Sequence, residues 1–213
     1  MSSAGALTIP TIVHLMMVDD PRFSEENGKV KETEELLPKL LAPADHEGSV
    51  NAIWNVAGLQ FTRNRVESVQ YTLQDIGLTE RDVRKEGLEI PGTCDPTRER
   101  DRQIFRAIQQ KFGTKTFLGL QVFIWPLIDV GGGCAMSDPG GTVGAVWLEA
   151  PSLRDPTGFR LMAHEIGHFL TLQHIDSPPH GPKLLMSRDF RGTLLTPDEI
   201  TQAMAHAHAV MNQ

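Results

Sequence analysis

Cysteine is scarce: Cys94 and Cys134 are the only two in 213 residues. That is too few for a disulfide scaffold or a thiolate zinc site, so the pair either forms one bridge in an oxidising compartment or remains two free thiols. Long apolar runs are missing too. The most apolar stretch, FLGLQVFIWPLIDV, is interrupted by Pro126 and falls short of the roughly 18 residues a membrane span requires, which excludes a transmembrane helix and suggests a buried strand. Basic residues are outnumbered, 20 Lys and Arg against 27 Asp and Glu for a formal charge of −7. With no basic run and no aromatic–basic interleaving, nucleic acid is excluded as an expected partner. The first twenty residues, MSSAGALTIPTIVHLMMVDD, lack the basic start, continuous apolar core and cleavage site of a secretory signal. The expectation is a cytoplasmic protein, or one whose leader is outside this sequence, or one exported by another route.

What remains, 40% hydrophobic and 22% charged residues, is the composition of one globular domain with a full core. Periodicity predicts an α+β order. Residues 8–18 read as a strand, and SEENGKVKETEE after them as a solvated loop or exposed helical turn. Val50, Ile53, Trp54 and Ala57 recur at helical spacing up to a stop at Gly58, and LQFTRNRVESVQYTL follows as a strand. A second helix is predicted from Asp95 and Pro96 to Gly113, then an apolar strand over 116–125. The glycine-rich DVGGGCAMSDPGG (129–141) has neither phosphate-loop spacing and is followed by a strand-like TVGAVWLEA, so it reads as a flexible loop between strands. Thr196, Pro197 and Glu199 open a capped last helix with an apolar stripe through Ile200, Ala203, Met204, Ala207 and Val210.

The informative stretch is HEIGHFLTLQH, 164–174. Asp155 and Pro156 predict a helix running to about Leu170. On it, Phe159, Met162, Ile166, Phe169 and Leu170 lie opposite His164, so one side is buried while His164 and His168 share the other. Histidines at i and i+4 can bind one Zn²⁺, and Glu165 between them stands where a general base can take a proton from water on the metal. His174 supplies a third imidazole, the full protein share of a catalytic zinc site. A straight helix would leave His174 about 9 Å along the axis from His168, so the helix has to break between them. At the position where glycine would break it with least strain stands Thr171, and the turn requires either a left-handed threonine or a wider loop through Leu172 and Gln173.

At these residues the chain resembles the metzincin clan of zinc endopeptidases, matrixin-like or pappalysin-like, whose signature is HExxHxxGxxH followed by a methionine-containing turn. HEIGHFLTLQH matches it except at Thr171, and LLMS at 184–187 stands where the turn is expected. The resemblance implies a mixed twisted sheet with an antiparallel edge strand, a zinc helix, a Met-turn and a C-terminal helix. It implies one catalytic domain, with residues 1–174 as the N-terminal lobe and 175–213 as the C-terminal lobe. It further implies one catalytic Zn²⁺ on His164, His168 and His174, Glu165 as base, and Met186 beneath the metal as a floor. A peptide or protein substrate would lie along an edge strand for which Ala145, Val146 and Trp147 are the candidates. Two alternatives stay open: a non-catalytic binding protein of this fold with a structural zinc, and a site in which Glu199 replaces His174 as third ligand. His180 or Asp176 are reserve ligands, and the isolated His14 and His46 are expected to be structural.

Overall fold

The computed structural model describes residues 6–81, 99–113, 117–126, 132–137, 144–176, 183–187 and 192–212. Five strands form one mixed sheet: β1 (Leu7–Val18), β2 (Leu59–Tyr71), β3 (Leu120–Trp125), β4 (Gly133–Ser137) and β5 (Gly144–Glu149), in the order β2-β1-β3-β5-β4. All neighbours are parallel except β4, which runs antiparallel to β5 at the margin. The fold is α+β, as the sequence predicts.

The period-2 alternation of the strands divides the apolar residues between two cores. Ile9, Val13, Leu15 and Met17 of β1 join Leu120, Val122 and Ile124 of β3 and Val146 and Leu148 of β5 on one face. That face is covered by α1 (Ser24–Thr33), α2 (Leu37–Leu40), α3 (Val50–Trp54), α5 (Ala150–Arg154), α6 (Gly158–Phe169) and α7 (Pro197–Met211). Met16, Val18, Tyr71, Phe123, Trp125 and Trp147 build an aromatic core on the other face, under Ile104 and Ile108 of α4 (Glu99–Lys111).

Three sequence expectations are corrected. The charged segment after β1, read as a solvated loop or exposed helical turn, is the ten-residue helix α1 and is partly buried. It buries Val30 and Thr33, and its Asn27 side chain bonds both the amide and the carbonyl of Val18 at 3.0 and 2.8 Å; so few inward residues leave hardly any helical periodicity to read. The glycine-rich segment read as a loop contains β4 over 133–137, and the rest of it lies outside the described residues. Consequently Ala145, Val146 and Trp147 are not on an edge strand. They lie in β5, paired with β3 on one side and β4 on the other, and all three are buried. Their main chain is already used by the sheet, so an added peptide strand has nothing to pair with there.

Elsewhere the agreement is close. Ser49 caps α3 through the amide of Ala52, and Gly58 ends the following 3₁₀ turn at φ 67°. Thr196 and Glu199 form a reciprocal capping box on α7. Cys134 is disulfide-bonded; the other cysteine, Cys94, lies outside the described residues, as does His180. Among the described residues no helix is long and apolar enough to cross a membrane.

Candidate metal centre

Helix α6 buries Met162, Ile166 and Phe169 in the first core and carries His164, Glu165 and His168. It starts at Gly158, two residues later than the sequence suggests, because Asp155 and Pro156 form a turn in which the Asp155 carboxylate accepts from the Thr157 amide at 2.8 Å. Its far end is the more consequential one. Thr171 takes the left-handed conformation, φ 69°, the one non-glycine residue with positive φ among the described residues. The amide of Thr171 donates to the His168 carbonyl and that of Leu172 to the Gly167 carbonyl, both at 2.9 Å. This is the Schellman pair of bonds, normally closed by glycine and here by a β-branched residue. Of the two turns open to the sequence, the tight one is adopted.

The reversal brings His174 back over the helix. Its Nε2 lies 3.1 Å from His164 Nε2 and 3.1 Å from His168 Nε2. Nitrogens at 2.0–2.1 Å from a tetrahedral zinc are about 3.3 Å apart, close to the separation of His174 from each of the other two, and all three ligand atoms lie within 4.8 Å of one another. The remaining ring nitrogens of two of them are engaged. His164 Nδ1 donates to the Leu185 carbonyl at 2.7 Å and His168 Nδ1 to the Leu172 carbonyl at 2.8 Å. Each bond fixes the tautomer whose Nε2 is an unprotonated acceptor. Burial lowers the pKa of His164 to about 4 and also lowers that of His168, so both rings are neutral at pH 7. The Nε2 acceptors of His164 and His168 both face His174 Nε2, an arrangement that a shared cation satisfies, as does a His174 N–H. The donor set therefore fits a metal ion, and its imidazole chemistry suits zinc.

The LLMS turn supports this cluster at three points. The Leu185 carbonyl orients His164; the Met186 carbonyl accepts from the amide of Ile175, next to His174, at 3.0 Å; and the Met186 side chain, fully buried, packs against α6 at Gly167. A Cβ on Gly167 would lie 2.3 Å from Met186 Sδ, so the buried methionine fills the space that glycine leaves in HEIGH and would have to shift for any side chain there. Neither the Leu185 carbonyl nor the role of Gly167 is visible in sequence, since main-chain acceptors leave no residue signature.

Glu165 is 2% exposed, and desolvation raises its pKa to about 8. It packs under the start of β4, where a Cβ on Gly133 would come within 3.0 Å of Glu165 Cγ and of the Trp147 carbonyl. The marginal strand thus passes directly over the catalytic candidate. Of the other candidate ligands, two lie among the described residues and neither joins the cluster. Asp176 is exposed and outside the cluster, while Glu199 holds the Thr196 amide at 2.7 Å in the α7 cap.

No protein-family model matches the chain, and no curated protein shows significant similarity to it. Among solved structures it is similar to a chain in the structure of a chaperone–substrate complex, with a TM-score of 0.47 and 13% identity over 97% of its length, spanning 35% of that longer chain. It is also similar to a zinc-dependent peptidase from Methanocorpusculum labreanum (strain Z), with a TM-score of 0.36, 15% identity and coverage of 91% of this chain and 99% of that one.

Proposed function

We propose that the protein is a zinc-dependent endopeptidase of the metzincin type that hydrolyses internal peptide bonds. The observation that carries the reading is the convergence of three imidazole Nε2 atoms, two of them fixed as acceptors, beside a buried glutamate in the same helix. His164, His168 and His174 would hold the ion. When bound, zinc would supply Lewis acidity toward a peptide carbonyl and toward water. The protein's own contribution is proton transfer and placement. Glu165 takes a proton from the attacking water on its carboxylate as the new C–O bond forms, and returns it to the amide nitrogen as the C–N bond breaks. Burial alone favours the neutral carboxyl of Glu165, and a divalent cation held by the neighbouring imidazoles would favour the carboxylate that accepts the proton. The substrate would add as an extended strand along the outer side of β4, which ends the sheet and overlies Glu165, instead of along residues 145–147.

The test compares zinc content and cleavage of a mixed peptide library for wild type and Glu165→Gln. Both proteins should hold about one zinc, with cleavage lowered by roughly 10²–10⁴-fold in the variant. Undiminished cleavage by Glu165→Gln would overturn the mechanism. A zinc-loaded wild type that cleaves nothing would instead identify a binding protein with a structural metal.

A further inference from the structure

The metal site depends on a left-handed threonine, and something outside the helix holds it. Thr171 follows the last turn of α6, with its backbone in a region that β-branched residues resist. Two site features depend on that conformation. It turns the Leu172 carbonyl onto His168 Nδ1, and it returns the chain so that His174 meets His164 and His168. From α7, the Gln202 carboxamide donates to the Thr171 carbonyl at 2.8 Å and to Thr171 Oγ1 at 3.3 Å. One group thereby holds the peptide plane after Thr171 and its side chain together. Gln202 is well placed to do so, because α7 is anchored independently through buried Ala203, Ala207 and Val210 and by its own capping box.

On the reading of the three histidines as a metal site, we infer that Gln202 is a positioning residue: it clamps Thr171 in the left-handed conformation and thereby sets His174 and the orienting carbonyl of His168 in place. Glycine at 171 would adopt the same turn without resistance and would not need the clamp. A threonine there couples the last helix to the metal centre, so the C-terminal element is part of the site although none of its side chains is a ligand.

The experiment measures zinc dissociation constants by chelator competition for the full chain, together with the visible absorption of the Co²⁺-loaded protein, which reports the ligand set. Four variants are compared with wild type: Gln202→Ala, Gln202→Glu, Thr171→Gly and the double variant Thr171→Gly with Gln202→Ala. Loss of the donor, by alanine or by the isosteric glutamate, should weaken zinc binding by about three- to tenfold and alter the Co²⁺ spectrum. In the Thr171→Gly background the same alanine substitution should change zinc affinity by less than about twofold, a non-additivity expected only if Gln202 acts through residue 171. Unchanged zinc affinity in Gln202→Ala would overturn the inference while leaving the metal site intact. So would an equal loss in the glycine background, which would mark Gln202 as a general support of α7. A wild type that holds neither zinc nor Co²⁺ would remove the metal site itself, and the clamp with it.

Discussion

His14 and His164 are both fully buried, and burial lowers the pKa of each, yet they stand in opposite chemical situations. His14, on β1, stacks on Phe123 with ring centroids 4.5 Å apart and faces Gln121 Oε1 at 3.3 Å. Its other nitrogen lies 3.2 Å from Glu67 Oε2, at ion-pair distance, and Glu67 is further held by Arg65 at 2.9 Å. Both ring nitrogens of His14 thus face oxygens; the hydrogen bond is made at Nε2 to Gln121, while Nδ1 lies at ion-pair distance from Glu67 without a hydrogen bond. At His164 the arrangement differs: its N–H is taken by the Leu185 carbonyl, and its lone pair meets other imidazoles. A buried histidine is therefore not in itself a site. What distinguishes the candidate metal centre is that three imidazole nitrogens converge on one point.

The sharpest way to break that contrast is to remove one histidine from each place. His174→Ala should weaken zinc binding by more than the roughly 10–100-fold that follows loss of an orienting partner, as measured by chelator competition. His14→Ala should leave zinc affinity of the folded protein within about twofold, because the ring belongs to the opposite core. It should instead cost roughly 2–4 kcal/mol of stability in a denaturant titration, through the cavity left beside Phe123. Equal zinc affinity in wild type and His174→Ala would move the third ligand elsewhere.

A smaller effect is expected where α6 meets the LLMS turn. Gly167→Ala forces a methyl group against Met186 Sδ and should destabilise the fold by about 1–3 kcal/mol, whereas Met186→Leu, close in volume, should cost less than about 1.5 kcal/mol. A neutral Gly167→Ala in thermal unfolding would show that the LLMS turn moves freely under the helix.

The smallest expected effect is on pH dependence, read in the metal-free protein. Glu165 has its folded pKa raised from 4.5 to about 8 by burial, so its contribution to stability is full below the unfolded value and is lost as pH rises through about 8. The lowered His164 and His168 values act in the opposite sense, but only below about pH 6.5. Between pH 6.5 and 8, unfolding free energy should therefore fall by at most about 1.4 kcal/mol per pH unit, and Glu165→Gln should flatten the slope. A slope just as steep in Glu165→Gln would assign the proton to another group.

Sequence and structure divide unevenly over this molecule. Spacing along one helix was enough to place His164, Glu165 and His168 together, because i and i+4 residues share a face in any α-helix. The same local logic predicted the cap at Thr196, the stop at Gly58 and a break between His168 and His174. The sheet margin was illegible. TVGAVWLEA reads as a strand whether it has one neighbour or two, and the true marginal strand, GCAMS, is too short and glycine-flanked to show alternation.

By itself, then, the sequence determined the α+β order, the grouping of His164, Glu165 and His168 on one helix and the need for a break if His174 is to join them, all consequences of local periodicity and side-chain type. Tertiary structure alone decided that Thr171 bends left-handed, that carbonyls of Leu185 and Leu172 fix two imidazole tautomers, that Gly167 makes room for Met186, and that Gln202 reaches Thr171 from the last helix. These are contacts between main-chain atoms or between residues up to 31 positions apart, and no pattern along the chain encodes them.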